Sequence, residues 1–346
     1  MVSSPFILHH GEDPDGIIAA ALVGAYCEHQ LKETPAAYFP LRYDNVNDLL
    51  PSIVEEAEKS HPCQIFVADI NPTTSVLRDG LLYRLVDSVP LAHRDLSAMT
   101  WIDHHTGTEK LLADFQQHGI KVVHDANQCA ALLTAKNFAL NDDPYFHRLA
   151  SIAQAHDYAK PGQFNELLLA GNELEKIIAL ANANGDEALL QRLITDLKDK
   201  HYFDDENVPL PFWQEHSSQY DSQKAVALEQ LKESIILENV GDYRVLFALA
   251  SPLLSQKPAP RYLKENYGDA ADVQVCLFAA PYRNHIVQGK NDSSLDIVGF
   301  CQSMGGGGRN NSGGFTLQEL ITEENYAAQR KTIGERLECY LNDNLR

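Results

Sequence analysis

Short apolar runs alternate with amphipathic stretches along the first half of the chain. The short runs predict the strands PFILHH, QIFVADI, MTWIDHH and KVVHD. The amphipathic stretches predict the helices GIIAAALVGAYCEHQ, NDLLPSIVEEAEKS, TSVLRDGLLYRLVDS, EKLLADFQQHG and NQCAALLTAKNFAL. Strands that alternate with helices indicate an α/β fold with a mostly parallel sheet and helices on both faces. In such sheets, ligands bind at the carboxyl ends of the strands.

The second half follows a different pattern. From Pro144 to about residue 200 the chain reads as helical, and the polar, proline-containing segment 201–225 indicates a linker or an ordered crossover. A helix KAVALEQLKESIILENV, the strands DYRVLFALA, DVQVCLFAAPY and RNHIVQG, a helix LDIVGFCQSM leading into a glycine loop, and two closing helices are then predicted. We therefore expect a larger domain over 1–200 and a smaller α/β domain over 226–346.

Composition restricts the partners of the protein. The chain has 28 Lys and Arg against 48 Asp and Glu, a formal charge of −20. A surface this acidic repels long DNA or RNA, although metals and a few basic groups can still hold a small anion. Neither a basic leader nor an apolar run of about 20 residues is found, so no membrane partner is expected. The six scattered cysteines form no CxxC pair, which is typical of free thiols in the cytoplasm.

Acidic and imidazole side chains stand at the ends of the predicted strands. His9, Asp13 and Asp15 surround the turn after PFILHH, and Asp69 closes QIFVADI. Three ligands on one such turn can converge on a cation. A DPDG turn that only caps a helix is the alternative for the first group, and a helix N-cap is the alternative for Asp69.

The end of the strand MTWI carries the most unusual group. Asp103, His104 and His105 follow one another there, and two adjacent imidazoles after an aspartate are rarely needed for packing. Because neighbouring strand side chains point in opposite directions, we expect one histidine to bind metal and the other to face substrate. Asp157, at the end of a helix, gains weight only from the whole set. Such ligands suit Mn, Mg, Fe or Co, and two ions about 3.5–4 Å apart could share one carboxylate.

The motifs HHGEDPDG, VADINP, IDHH and HDYA occur in the order found in the DHH phosphoesterase superfamily, which the chain resembles over nearly its whole length. The loop MGGGGRNNSGGF resembles that of the DHH-associated C-terminal domain. The resemblance implies a catalytic domain over 1–200 and a substrate-binding domain over 226–346, with the active-site cleft between them.

The resemblance also implies roles for individual residues. The implied ligands of two Mn²⁺ ions, with Mg²⁺ or Co²⁺ as alternatives, are His9, Asp13, Asp15, Asp69, His104 and Asp157. Asp69 would bridge the ions, and His10 competes with His9 for the first position because spacing varies there. Asp103 would orient the histidines, and His105 would face the phosphate as an electrostatic stabiliser or proton donor.

The glycine loop departs from the commoner family form, in which a histidine follows the glycines. Gly308 or Arg309 occupies that position here. An arginine can still bind phosphate, but the ability of a histidine to gain or lose a proton near neutral pH is lost. Glycines let backbone N–H groups approach an anion, and a tight surface turn is the structural alternative. The predicted substrate-binding residues are Gly305, Gly306, Gly307, Gly308, Arg309, Asn310 and Asn311.

These features favour a small nucleotide substrate. A processive exonuclease would need a basic strand channel with stacking aromatics, which the acidic chain does not suggest. We therefore expect a metal-dependent phosphodiesterase that cleaves linear dinucleotides or short oligonucleotides, and by extension cyclic dinucleotides, to mononucleotides. The alternatives are a nucleotide 3′-phosphomonoesterase, an exopolyphosphatase, and a binding module that senses a nucleotide without hydrolysing it. Homodimerisation, which is frequent in the family, stays open.

Overall fold

The chain divides into two compact units, Met1–Ser218 and Gln219–Arg346, in a computed structural model. The model describes residues 4–42, 45–72, 81–89, 98–160, 162–204, 206, 208–254, 258–279, 284–289, 295–309, 311–317 and 319–344. The boundary falls within a 24-residue helix, Pro211–Ser234. Much of the segment 201–225, in which we expected a linker or an ordered crossover, is therefore helical.

The N-terminal unit is built on one parallel sheet. Its strands are β1 (Phe6–His10), β2 (Ala37–Leu41), β3 (Ile65–Ala68), β4 (Met99–Asp103) and β5 (Ile120–His124). They lie in the order β2-β1-β3-β4-β5, and every pair is parallel. The edge strand β2 was not predicted, because its run AYFPL contains a proline and buries only Leu41.

Helices cover both faces of this sheet. They are α1 (Pro14–Tyr26), α2 (Val46–Ser60), α3 (Leu81–Ser88), α4 (Thr106–Glu109), α5 (Leu112–Gln117), α6 (Ala130–Asn137), α7 (Pro144–Asp157), α8 (Glu166–Asn184) and α9 (Glu187–Lys198). A π-helical turn, Cys27–Leu31, extends α1. Alternate strand residues enter two cores, Ile7 and Phe66 in one, Leu8 and Val67 in the other. The predicted α/β fold with a parallel sheet is confirmed. The helix predicted over TSVLRDGLLYRLVDS includes α3, and its first residues, 74–80, lie outside the described part.

The C-terminal unit contains a mixed sheet. Its strands are β6 (Ile236–Val240), β7 (Tyr243–Ala250), β8 (Val273–Phe278), β9 (Asn284–Gly289), β10 (Gly307–Arg309) and β11 (Ser312–Thr316). The order is β10-β11-β9-β8-β7-β6, with β7 and β8 parallel and the remaining pairs antiparallel. The helices are α10 (Pro211–Ser234), α11 (Pro258–Tyr267), α12 (Ile297–Ser303) and α13 (Glu323–Asn344), with a 3₁₀ turn at Pro252–Leu254.

Three predictions for this unit were wrong in detail. The helix predicted through KAVALEQLKESIILENV ends at Ser234, and the β-branched and apolar residues after it form β6, which pairs with β7. The two predicted closing helices are the single helix α13. Part of the glycine loop is the strand β10, which pairs with β11. Among the described helices, none combines the length and apolarity needed to cross a bilayer.

Candidate metal centre

The carboxyl ends of β1, β3 and β4 lie side by side at one edge of the parallel sheet. The turn into α1 follows β1, and the last residue of α7 is Asp157. In this strand order β1 connects to β2 on one side and β3 connects to β4 on the other. The helices that follow β1 and β3 therefore lie on opposite faces of the sheet, which opens a crevice at the ends of these two strands. Of the ligands implied by the sequence, all but His9 lie together at these strand ends.

Seven side chains form what we call the strand-end cluster. Its members fall into three groups whose ligand atoms lie within 4.8 Å of one another. The groups are His10, Asp13 and Asp69; Asp69, His104 and His105; and Asp15, His104 and Asp157. Asp69 belongs to two groups, and so does His104. The chain therefore offers adjacent ligand groups that could hold more than one cation, and the Asp69 carboxylate is common to two of them.

Asp69 occupies the centre of the cluster. Its side chain is 2% exposed, and its backbone has a φ of 59°, in the left-handed region. One carboxylate oxygen, Oδ2, lies 3.5 Å from Nδ1 of His10, and the other, Oδ1, lies 3.4 Å from Nε2 of His104. The buried Oδ1 receives no well-aligned hydrogen bond from any described residue. A carboxylate that faces both sides in this way is suited to bridge two cations.

Asp15 is fixed by the amino end of α6. Its two carboxylate oxygens accept the backbone N–H groups of Ala130 and Ala131, both at 2.8 Å. The side chain is 2% exposed, and burial, followed by the charges of Asp69 and Asp13, raises its pKa well above the usual value. The helix dipole helps to hold the Asp15 carboxylate in place. The negative charges of Asp69 and Asp13 still disfavour ionisation of Asp15, and a bound cation would compensate them.

At the end of β1 the structure places His10, rather than His9, in the cluster. His10 Nδ1 lies 3.0 Å from Oδ2 of Asp13, and the other oxygen of Asp13, Oδ1, caps α1 by accepting the N–H of Gly16 at 3.1 Å. His9, which we had favoured as the ligand, is fully buried and has its Nδ1 2.9 Å from the carbonyl oxygen of His10. Successive strand residues point to opposite faces, so only one of the two can face the crevice. A side chain at Gly16 would lie 2.2 Å from the carbonyl oxygen of His10, which explains the glycine.

Tyr158 sets the orientation of His104. The hydroxyl of Tyr158 donates to the carbonyl of Ala126 at 2.8 Å and lies 3.1 Å from Nδ1 of His104, whose N–H it can accept. This arrangement turns Nε2 towards the carboxylates of Asp69, at 3.4 Å, and Asp157, at 3.7 Å. A fixed imidazole with Nε2 facing carboxylates is the form that ligates a metal.

Asp103 holds His105 in a similar way. Its carboxylate lies 2.7 Å from Nδ1 of His105, and it accepts the backbone N–H of His105 and the hydroxyl of Thr108. His124, at the end of β5, lies with Nε2 3.0 Å from the carbonyl oxygen of His105. Burial opposes protonation of His105, but the hydrogen bond and charge of Asp103 raise its pKa above the usual value. The ring is one-third exposed and can therefore meet a substrate.

The charges of the cluster fit a divalent metal. Burial opposes protonation of His104, but Asp69, Asp15 and Asp157 raise its pKa to about 9. Asp13, Asp69 and Glu12 likewise raise the pKa of His10 well above its usual value despite burial. In the ion-free protein, protons on these rings offset the carboxylate charge. A divalent cation can take over that role and displace the protons.

The glycine segment of the C-terminal unit is a hairpin, which we call the glycine hairpin (Gly305–Thr316). Gly305 has a φ of 81°, and a side chain at Gly306 or Gly308 would lie 1.9 Å or 2.3 Å from a backbone oxygen of β11. Gly307 differs, because a side chain there would meet no described atom within 4 Å. The carbonyl of Asn311 accepts the N–H of Gly289 at 2.8 Å. Asn310 and the side chain of Arg309 lie outside the described part.

Several contributors to the site were missed from the sequence. Tyr158 directly follows Asp157 in HDYA, but the motif does not show that its hydroxyl holds a histidine. His124 ends the strand KVVHD just as the other site residues end theirs, so the same signal applied to it. The α6 amides that hold Asp15, 115 residues away along the chain, left no local signal.

Comparisons with known proteins agree with the fold. The sequence matches no protein-family model and no curated protein. A crystal structure of the exonuclease RecJ bound to manganese is similar over 98% of this chain and 90% of that one, with 14% identity and a TM-score of 0.54. RecJ from Thermus thermophilus in complex with Mg²⁺ gives 13% identity and a TM-score of 0.48, covering 99% of this chain and 50% of that one. An uncharacterized protein from Helicobacter pylori gives 15% identity and a TM-score of 0.39, with 97% and 99% covered.

The likeness to the manganese-bound RecJ structure concerns the fold. The N-terminal parallel sheet and the C-terminal mixed sheet are similar in fold to that RecJ structure. At 14% identity the substrate does not follow from this likeness. The function has to be inferred from the strand-end cluster.

Proposed function

We propose that the protein is a metal-dependent phosphodiesterase that hydrolyses linear dinucleotides and short oligonucleotides to mononucleotides. The observation that carries this proposal is the buried carboxylate of Asp69, which is common to two groups of metal-ligating side chains. The RecJ structure of the same fold is that of an exonuclease bound to manganese, which favours phosphodiester chemistry. The net charge of −20 favours a short substrate over a long nucleic acid.

The chain would hold two divalent ions, Mn²⁺ in the first place. One position would be supplied by His10, Asp13 and Asp69, and the other by Asp15, His104 and Asp157. Asp69 could serve both, because its Oδ1 lies 3.4 Å from Nε2 of His104. When bound, such ions activate a water molecule and neutralise charge on a phosphate. The chain's own part is to orient the ligands, through the α6 amides at Asp15 and the Tyr158 hydroxyl at His104.

His105 has a different role in this proposal. Its ring is fixed through Nδ1 by the buried Asp103, so its Nε2 carries the proton that can be donated to a phosphate oxygen or to the leaving oxygen. The hydrogen bond and charge of Asp103 raise the pKa of His105, which favours that protonated form. Asp103 is thus a positioning residue, and His105 is the proton donor.

We also propose that the glycine hairpin binds a phosphate of the substrate through its backbone. Gly307 lies on the edge strand of the sheet, and no contact with a described residue explains the lack of a side chain there. Open space beside an exposed edge of backbone lets N–H groups reach an anion. The cytoplasmic location, the homodimer and the cleft between the domains stay predictions.

A substrate panel tests the proposal. The full-length protein with Mn²⁺ is incubated with a linear dinucleotide, a cyclic dinucleotide, polyphosphate and a nucleoside 3′,5′-bisphosphate, and the products are separated by chromatography. We expect mononucleotides from the linear dinucleotide, with the cyclic dinucleotide cleaved more slowly. Preferred release of inorganic phosphate from polyphosphate would replace the phosphodiesterase by an exopolyphosphatase, and preferred release from the bisphosphate would replace it by a 3′-phosphomonoesterase. Saturable nucleotide binding without any product would instead show a sensor.

A further inference from the structure

A cavity of about 580 Å³ lies in the C-terminal unit, at the carboxyl end of α11. Its wall is made by the last turn of α11 and the residues after it, up to Ala271, together with Gln274 of β8 and the end of β9 at Gln288 and Gly289. None of these residues belongs to the strand-end cluster or to the glycine hairpin. A volume of this size is in the range of small-molecule sites.

Two glutamine side chains give this cavity, which we call the α11 cavity, a specific chemistry. Gln274 and Gln288 are cross-strand partners, so their side chains emerge from the same face of the sheet. Gln274 is 6% exposed, and its Nε2 donates to the carbonyl of Leu263 at 3.3 Å, which fixes the orientation of the amide. The Oε1 atoms of both glutamines are buried and accept no hydrogen bond from any described residue.

Buried acceptors of this kind need a donor from outside the chain. More than nine-tenths of buried polar groups in folded proteins are hydrogen-bonded, because an unpaired one loses its hydration without compensation. Here two such oxygens are neighbours on the wall of one cavity. A ligand that presents at least two N–H groups would satisfy both at once.

The remaining wall selects the charge of that ligand. The carboxyl end of α11 carries partial negative charge, and Glu265 and Asp269 outnumber Lys264. Tyr267 adds an aromatic ring to the wall. An anion such as a phosphate would be repelled here. A guanidinium group is planar, has five N–H donors and no acceptor, and packs well on an aromatic ring.

We propose that the α11 cavity binds a small organic cation bearing a guanidinium group, through Oε1 of Gln274 and Oε1 of Gln288. The site is independent of the phosphodiesterase proposed above. Its ligand differs in charge from the anion expected at the glycine hairpin of the same unit.

Calorimetric titration of the full-length protein with agmatine tests this site. Saturating Mn²⁺ is present throughout, so that the acidic strand-end cluster does not capture the probe. We expect one agmatine per chain, and an affinity lowered about tenfold or more in Gln274→Met and in Gln288→Met, since each removes one acceptor at nearly constant volume. Gln302→Met changes an exposed glutamine of α12 in the same unit and should bind as the wild type does.

The melting temperature separates a lost contact from a damaged fold. The buried Oε1 of Gln288 accepts no hydrogen bond from a described residue, so Gln288→Met should melt cooperatively at or above the wild-type temperature while agmatine binding falls. Absence of saturable binding by the wild type, or equal binding by all three variants, would overturn the proposal and leave the cavity to water. Binding of a nucleoside monophosphate in preference to agmatine, abolished by Gln288→Met, would overturn it in favour of a base-binding site.

Discussion

The two units place their functional groups in different ways. In the N-terminal unit, side chains at the ends of parallel strands meet in a buried cluster whose charges perturb one another. In the C-terminal unit, the glycine hairpin contributes backbone, and its glycines are explained by close approach at Gly306 and Gly308 but by no contact at Gly307. Side-chain chemistry leaves residue types in the sequence that a reader can recognise. A site formed by backbone atoms leaves only glycines in the sequence, and glycines also serve in turns and close contacts. Experiments are therefore needed to distinguish a binding role of such glycines from a structural one.

Replacement of Asp69 should have the largest effect on the N-terminal side of this comparison. Asp69→Asn keeps the shape of the side chain and suits the left-handed backbone, but it removes the charge common to two cation positions. We expect dinucleotide hydrolysis to fall by about 10³-fold or more, with the circular dichroism spectrum unchanged.

The matched control is Asp142→Asn, which alters an exposed aspartate outside the cluster and should retain activity. If Asp69→Asn hydrolysed the dinucleotide at a rate comparable to that of Asp142→Asn, the strand-end cluster would not be the catalytic site.

Removal of the Tyr158 hydroxyl comes next in size. Tyr158→Phe leaves Nδ1 of His104 without its acceptor, so the ring is less firmly held with Nε2 facing the carboxylates. We expect the affinity for Mn²⁺ to fall by about 10–100-fold, measured by calorimetry, with activity recovered at high Mn²⁺. A residue needed only for packing would not show recovery by added metal.

Two glycine-to-alanine substitutions distinguish a binding role from a structural role within the glycine hairpin. Gly307→Ala introduces a methyl group into open space, so the fold should keep its stability, while KM for the dinucleotide rises about tenfold because the phosphate is kept from the backbone. Gly306→Ala places the same methyl group 1.9 Å from the carbonyl oxygen of Gly314 and should instead lower the melting temperature. Unchanged kinetics in Gly307→Ala would reduce the hairpin to a structural turn.

The smallest effect is the pH dependence of the ion-free protein. The folded-state pKa of His104 is about 9, above its ordinary 6.5, so its stabilising contribution is complete below about pH 6.5 and is lost as the pH rises through 9. The raised pKa of Asp15 acts in the same direction, since ionising a buried acid disfavours the folded state.

Thermal melts with a chelator should therefore show a lower melting temperature at pH 9.5 than at pH 6.5. Added Mn²⁺ should raise the melting temperature more at the higher pH, because fewer protons have to be displaced. A melting temperature that rises with pH in the presence of the chelator would contradict the charges assigned to the cluster.

The sequence predicted the N-terminal unit well because its signals are local. Asp69 and Asp103 each end an apolar run, and the topology of a parallel sheet brings such ends together without further information. The choice between His9 and His10 depends on which face of β1 meets the crevice, a one-residue difference that strand alternation makes decisive but that the motif alone leaves open.

The C-terminal unit was harder to predict for physical reasons. The helix α10 passes into β6 with no proline or glycine between Ser234 and Ile236, so only pairing with β7 marks the change. The proposed role of Gln274 depends on its partner Gln288 on β9 and on its hydrogen bond with α11. A single glutamine in a strand does not predict either contact.

The left-handed backbone at Asp69 limits what can replace this residue. Apart from aspartate, only asparagine and glycine adopt that conformation readily, and both lack the carboxylate charge. Under the proposed function, the replacements that the main chain tolerates best are thus the ones expected to abolish hydrolysis while the fold is kept. A single nucleotide change converts an aspartate codon into one for asparagine or glycine, so one such change would be expected to convert the proposed hydrolase into a folded protein without turnover.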